Sequence, residues 1–259
     1  MILKEIIEKR KIQLEKEKQN IPFYEVKKAA EKIDTPCKDF LKALKKNKLT
    51  VISEVKKASP SKSVIREDFN PAEIAVSYEN AGADAVSCLT EEYYFKGSSS
   101  YLREIRKKIK LPILRKDFIF DEYQIYEART LGADAVLLIA AVLDLDTMKN
   151  FSAIAENLNM NCLFEAHSEE EIEKILCCSP KIIGINNRNL KTFEVSLKNT
   201  QILAEKIPNE CVIVSESGIV SNDDMKFVRK YGADAVLIGE TLMRSNDISG
   251  TMQALREGV

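Results

Sequence analysis

A single histidine, His167, is the only imidazole in 259 residues, and none of the six cysteines forms a C-x-x-C pair. A structural zinc site draws about four such ligands at close spacing, so that class is set aside. No apolar run reaches the ~18 residues that a membrane-spanning helix requires. The opening stretch, MILKEIIEKRKIQLEKEKQ, alternates apolar and charged side chains and lacks the apolar block and small-residue cleavage site of a secretory signal. The expected location is therefore the cytoplasm. Cysteine usage agrees with a reducing compartment, because Cys88, Cys162 and Cys211 fall inside apolar runs, where a thiol acts as a small hydrophobe. A net charge of −1 leaves no electrostatic footprint for nucleic acid. Residues 1–50 are locally basic, with 14 Lys plus Arg against 8 Asp plus Glu. That excess reads as a solvated helix face, or as a field that steers anionic substrates. No G-x-G-x-x-G follows the first strand, which argues against an open doubly wound sheet.

What is present is a repeat. The string GADAV occurs at 82–86, 132–136 and 232–236, so the copies lie 50 and 100 residues apart. A unit of about 25 residues accounts for both separations, and that is the length of a strand plus a helix. Each copy follows an amphipathic stretch and places a glycine where a helix C-terminal cap belongs. Each then leads into an apolar run: AVSCLT (85–90), AVLLIA (135–140) and AVLIGE (235–240). The runs VISEVKK (51–57), PILRKDF (112–118), CLFEAH (162–167), IIGINN (182–187) and VIVSESG (212–218) complete eight strands. Helical patterns such as DEYQIYEARTL (121–131) and SNDDMKFVRKY (221–231) separate them. Alternation of this kind implies a parallel sheet with right-handed crossovers, and eight units favour closure. The expected fold is α/β, a (β/α)8 TIM barrel with an N-terminal helical extension, one domain over 1–259. Residues 1–47 form the extension, two or three helices punctuated by Pro22 and the Thr35–Pro36 step.

Barrels of this type carry their chemistry at the C-terminal ends of the strands. Residues two apart on a strand share a face, so Glu54 and Lys56 belong together at the end of strand 1. Strand 3 ends in Lys116, strand 5 in Glu165, strand 6 in Asn186 followed by Arg188, and strand 7 in Glu216. A lone Lys–Glu pair inside a barrel can simply fill space, but buried pairs are costly and stabilise weakly. Two lysines, three glutamates and an asparagine converging from five strands point instead to a functional cluster. His167 lies beyond Glu165 on the same face and reads as structural or supporting. Ser217–Gly218 and Gly239–Glu240 follow strands 7 and 8, where barrels often bind phosphate on bare backbone N–H groups, and residues 240–244 suit a short helix there. The segment 57–63 reads as a basic loop over the mouth, suited to closing on an anionic substrate.

With these residues in place the chain resembles the indole-3-glycerol phosphate synthase family. VISEVKKASPSKS (51–63) is similar to its Glu-x-Lys…Ser-Pro-Ser signature. LTEEYYFKGS (89–98), LPILRKDFI (111–119), LFEAH (163–167), IGINNRNL (183–190), SESGI (215–219) and LIGETLM (237–243) follow in family order. The resemblance covers essentially the whole chain. It implies closure of an indole ring from 1-(o-carboxyphenylamino)-1-deoxyribulose 5-phosphate, with loss of carbon dioxide and water, by general acid/base catalysis. It implies no metal and no organic cofactor. In this scheme Lys116 is the general acid and Glu165 the acid/base carboxylate. Lys56 and Ser59 meet the anthranilate carboxylate, Glu54 and Asn186 orient the lysines and sugar hydroxyls, and whether Lys56 or Lys116 drives dehydration stays open. Arg188 and Glu216 match polar substrate-site positions. Ser217, Gly218, Gly239 and Glu240 match the phosphate loops. Phe95, Phe118, Leu137, Ile139 and Leu190 match apolar positions that grip the aromatic ring. Ser63 stands where many members have glycine, which predicts a stiffer first loop, and Ala166 stands for a common valine. No tryptophan occurs, so an aromatic that some members carry in the N-terminal helices is replaced or absent. The expected partner is a small phosphorylated molecule, the expected state a monomer, and contact with other enzymes of tryptophan biosynthesis stays open. Two other readings compete. One is a Schiff-base aldolase or another phosphate-binding barrel; the other is a non-catalytic barrel subunit.

Overall fold

The computed structural model describes residues 2–60, 63–189 and 192–259. Eight strands form a closed parallel barrel: β1 Thr50–Val55, β2 Ala85–Leu89, β3 Ile113–Lys116, β4 Ala135–Ile139, β5 Asn161–Ala166, β6 Ile182–Asn186, β7 Val212–Glu216 and β8 Ala235–Ile238. Each pairs with its neighbour in sequence, and β1 closes the ring against β8. Helices α1 Ile2–Asn20, α2 Phe23–Glu31 and α3 Phe40–Leu44 precede β1. Helices α4 Pro71–Asn80, α5 Ser99–Arg106, α6 Glu122–Leu131, α7 Leu145–Asn157, α8 Glu169–Leu176, α9 Lys198–Ala204 and α10 Asn222–Lys230 each follow a strand. Helices α11 Glu240–Arg244 and α12 Ile248–Arg256 follow β8. Many helices start where a short polar side chain accepts a backbone N–H of the first turn, as Asn70, Asp121, Asp144, Ser168 and Ser221 do.

The repeated GADAV has a structural cause. The aspartate of each copy turns back and accepts the backbone N–H at the start of the preceding strand: Val51 to Asp84 (3.0 Å), Ile113 to Asp134 (2.8 Å) and Ile213 to Asp234 (2.9 Å). The two alanines keep the strand entrance narrow. Gly132 caps α6 in the left-handed conformation at φ 90°, whereas Gly82 and Gly232 adopt it one residue beyond the cap.

The strands are shorter at their C-terminal ends than the apolar runs suggest. Lys56, Asp117, Phe118, His167 and Ser217 lie past the ladder. At Phe118 the reason is visible, because its N–H turns to the Asp117 carboxylate (2.8 Å) rather than to a neighbouring strand. The first loop also differs from expectation. Ala58–Ser59 pairs antiparallel with Ser63–Val64, and Ser63 takes φ 49°, the region that favours glycine.

The N-terminal extension closes the barrel at both poles. At the bottom, Phe40 and Leu44 of α3 are fully buried among Ile52, Ala85, Ala135 and Ile182 of the strand entrances. Near the top, α1 is bolted to β3 by charge. Alternate residues of a strand face opposite ways, so Arg115 and Asp117 leave the barrel while Lys116 enters it. Buried Arg10 of α1 grips Asp117 through Nε and Nη2 at 3.0 Å each, and Arg115 reaches the same carboxylate at 3.1 Å. Glu17 and Glu127 complete this clamp, at 2.9 Å from Arg10 and 2.6 Å from Arg115.

Candidate active site

A cavity of about 1000 Å³ opens at the C-terminal ends of the strands. Glu54, Lys56, Ser59, Phe95, Lys116, Phe118, Leu137, Ile139, Glu165, Asn186, Arg188, Glu216, Ser217, Gly218, Gly239 and Glu240 all line it. Leu190, also expected there, lies outside the described residues. The convergence follows from register. Ile139 pairs with Glu165, Glu165 with Gly184, and Asn186, two residues on and so on the same face of β6, with Glu216, so their side chains share the interior face of the barrel.

The floor is a charge cluster. The Lys116 ammonium lies 3.2 Å from Glu165 Oε2 and 3.3 Å from Glu216 Oε2. Lys56 lies 2.6 Å from Glu54 Oε2. Asn186 Nδ2 donates to Glu165 Oε1 at 3.2 Å and fixes its rotamer. Burial alone would pull the Lys116 ammonium towards neutrality, but Glu165, Glu216 and Glu54 together outweigh it and hold the proton well above the ordinary lysine value. The two carboxylates then diverge. Burial pushes Glu165 up, yet Lys116, His167 and the Asn186 amide bring it below the ordinary glutamate value. Burial pushes Glu216 up as well, and neighbouring Glu165 adds to it against the pull of Lys116, so its carboxyl is raised to about 8.

Two glycines make this floor possible. A Cβ on Gly184 would sit 2.1 Å from Glu216 Oε1, and one on Gly239 would sit 2.4 Å from Glu54 Oε2 and 3.0 Å from Lys56 Nζ. Any side chain at either position displaces a member of the cluster. His167 lies just beyond Glu165, with Nδ1 3.7 Å from Glu171 Oε2 and neither ring nitrogen hydrogen-bonded. Burial lowers its proton affinity, but Glu171 and Glu165 raise it further, for a net increase. It is not among the residues that line the cavity.

One wall is apolar. Phe95 and Phe118 face each other with ring centroids 6.0 Å apart. The loop carrying Phe95 is wound round buried Glu91, which accepts the N–H groups of Tyr93, Tyr94 and Phe95 at 2.8, 2.8 and 2.9 Å. Ile2, Leu3 and Ile6 of α1 complete the wall. The alternation of apolar and charged side chains in this stretch was visible in the sequence, but nothing there said what the apolar ones cover. The opposite wall is built from loops. Ser217 and Gly218 are both left-handed, at φ 67° and 92°. Asn187 holds the bend by donating from Nδ2 to the Glu216 and Ser217 carbonyls at 3.0 and 3.1 Å. Across the gap, the short α11 begins at Glu240, whose carboxylate accepts from Arg244 Nε at 3.0 Å. Arg244 lines the cavity too, and sequence reasoning missed it because it sits inside a helix rather than at a strand end. The result is a slot with an aromatic-lined side, an ionic floor and a glycine-walled side.

Comparison with known proteins gives this slot a family. The family model for indole-3-glycerol phosphate synthase matches residues 3–255. The indole-3-glycerol phosphate synthase of Acetivibrio thermocellus is 51% identical over 252 residues, covering 96% of each chain, and that of Ruminiclostridium cellulolyticum is 49% identical over 257 residues, covering 99% of each. Among solved structures, an N-acetylmannosamine-6-phosphate 2-epimerase from Clostridium perfringens matches with TM-score 0.64 at 12% identity, over 82% of this chain and 94% of that one. A 3-hexulose-6-phosphate synthase from Salmonella typhimurium matches with TM-score 0.64 at 11% identity, over 81% and 97%. These distant structures share the barrel fold alone, whereas the family match spans nearly every residue that builds the slot. The chain belongs to the indole-3-glycerol phosphate synthase family.

Proposed function

We propose that this chain closes the indole ring of 1-(o-carboxyphenylamino)-1-deoxyribulose 5-phosphate, releasing carbon dioxide, water and indole-3-glycerol phosphate. The observation that carries the assignment of roles is the position of Lys116, a protonated ammonium between two glutamates on the floor of a slot that is apolar on one side and glycine-walled on the other. The aromatic ring packs against Phe95, Phe118, Leu137 and Ile139, with α1 covering it. The phosphate sits against Ser217, Gly218, Gly239 and Glu240, where backbone N–H groups are unobstructed. The reacting carbonyl then falls above the floor. Lys116 protonates its oxygen as the carbon–carbon bond forms, and Glu165 takes the hydrogen that the new ring must lose. Such proton transfers contribute about 10²–10⁴-fold each. Lys56, held by Glu54, and Ser59 meet the carboxylate that departs as carbon dioxide, while Arg188, Asn186 and Glu216 contact polar groups of the substrate. Residues 1–259 act as one domain in this reading, a cytoplasmic monomer acting on a small phosphorylated substrate.

Purified protein incubated with the substrate should develop indole fluorescence, and inorganic phosphate should compete with it. No fluorescence would remove the functional reading. Competition unchanged in Gly218→Val, whose side chain enters space only 2.6 Å from Val195, would remove the phosphate assignment.

A further inference from the structure

The ionic floor has more negative groups than positive ones. Two ammonium groups, Lys56 and Lys116, meet three carboxyls, Glu54, Glu165 and Glu216, and the slot must then admit a phosphate and a carboxylate as well. Glu216, like Glu165 and Glu54, is buried, with a side chain 2% exposed. Its two oxygens have unlike surroundings. Oε2 faces Lys116, whereas Oε1 occupies the notch left by the missing side chain of Gly184 and has no hydrogen-bond partner. A buried carboxylate oxygen without a donor is expensive, and a neutral carboxylic acid in the same place costs less. The groups facing Glu216 are Lys116 from β3, Glu165 and His167 from β5, Glu54 with Lys56 from β1, and Asn186 from β6. The nearest of them, Lys116, is shared with Glu165.

The reaction itself needs a proton. Ring closure and dehydration deliver two protons to the substrate's carbonyl oxygen, which leaves as water, and one proton returns when the new ring loses a hydrogen. Each turnover therefore consumes one proton overall. We infer, resting on the function proposed above, that Glu216 is a protonated carboxylic acid in the resting site and restores Lys116 after it has acted as the acid. The O–H bond of Glu216 breaks, an N–H bond forms on the neutral Lys116 amine 3.3 Å away, and a carboxylate and an ammonium result. A proton from solvent reloads Glu216 once product leaves the open mouth. The opposite shifts of the two carboxyls flanking Lys116, Glu165 down and Glu216 up to about 8, agree with a division into base and acid. Glu216 acts through Lys116 and is a positioning and proton-holding residue rather than a second general acid on the substrate.

Glu216→Gln keeps the size and neutrality of the acid but holds no transferable proton. The test is kcat and KM against pH for wild type and this variant. Wild-type kcat should fall as pH rises through about 8, where Glu216 ionises. In the variant, kcat at pH 7 should drop about 100-fold, KM should change much less, and the alkaline limb near 8 should vanish. Near-wild-type kcat in the variant overturns the inference, and so does a reduced kcat that keeps the same alkaline limb, because the limb then belongs to another group. If the Gln variant does not fold, Glu216→Asp decides: drawing the carboxyl back from Lys116 must move the limb, and an unmoved limb overturns the proposal. Absence of turnover in wild type would remove the functional reading itself, whereas wild-type turnover with an unaltered variant removes only the proton-holding role.

Discussion

Two ionic clusters meet at β3, back to back, and they use their charges differently. The clamp beneath α1 holds Arg10, Arg115, Asp117, Glu17 and Glu127; the floor of the slot holds Lys56, Lys116, Glu54, Glu165 and Glu216. Each has two cations and three carboxyls. In the clamp the cations are arginines, which cannot give up a proton and which fork onto Asp117 at fixed geometry. In the floor they are lysines, which can. The clamp leaves its surplus carboxyl, Glu17, at the edge with a 16% exposed side chain. The floor buries its surplus carboxyl, Glu216, whose side chain is 2% exposed. Equal charge counts thus give a bolt in one place and, in the function proposed, a proton-handling site in the other, and the deciding variables are the choice of cation and the depth of the odd acid.

The comparison can be broken most directly at Lys116. Lys116→Ala should lower turnover by about 10²–10⁴-fold or more with the fold retained, checked by indole fluorescence and circular dichroism. Indole formation near the wild-type rate would place the floor in the same structural class as the clamp. Removing one partner of the clamp should do the reverse. Arg10→Met leaves Asp117 buried with half its donors gone, and a broken buried pair costs about 3–5 kcal/mol. At about 2–4 °C per kcal/mol for a chain of this size, thermal unfolding should shift down by roughly 10 °C. An unchanged melting temperature would mean that the clamp is not what fastens α1.

A gentler test sharpens the contrast through pH. Glu216 is raised in the folded chain to about 8 from an ordinary value of 4.5. Between those values the unfolded chain releases this proton and the folded chain keeps it, so the stability it contributes is full at acid pH and is lost as pH rises through about 8. Relative to wild type, Glu216→Gln should therefore gain stability from pH 6 to pH 8 by roughly 1 kcal/mol per pH unit. Parallel stability curves across that range would show that the buried carboxyl is already ionised. The same scan on Glu17→Gln should give a smaller effect, because solvent screens its partly exposed group.

Much of the site was legible because it is carried by strand ends. Lys116, Glu165, Asn186 and Glu216 each close an apolar run, and alternation fixes which way they face. The helix starts at Asp121 and Ser221 were legible because local capping chemistry sets them, and the short helix over 240–244 was expected from its place after the last strand of a phosphate-binding barrel. What the sequence left open were relations between distant segments. The pairing of Arg10 with Asp117 spans 107 positions, and no local pattern marks Arg10 among the charged residues of the first helix. The alternation of apolar and charged side chains that includes Ile2, Leu3 and Ile6 was readable, but not their place as the lid of an aromatic slot. Arg244 escaped because it reaches the cavity from within a helix.

The residues themselves therefore determined the barrel, the order of its units and the inventory of acids and bases at its mouth. Hydrophobic period, capping side chains and the returning aspartate of GADAV are interactions over a few residues or one strand–helix unit, and such interactions are written locally. The tertiary structure decided that the N-terminal extension both plugs the floor through Phe40 and Leu44 and covers the mouth through α1. It also decided which of three chemically identical glutamates is left with an oxygen facing no donor. Burial and the distance to a cation set that outcome, and neither exists until the chain has closed on itself.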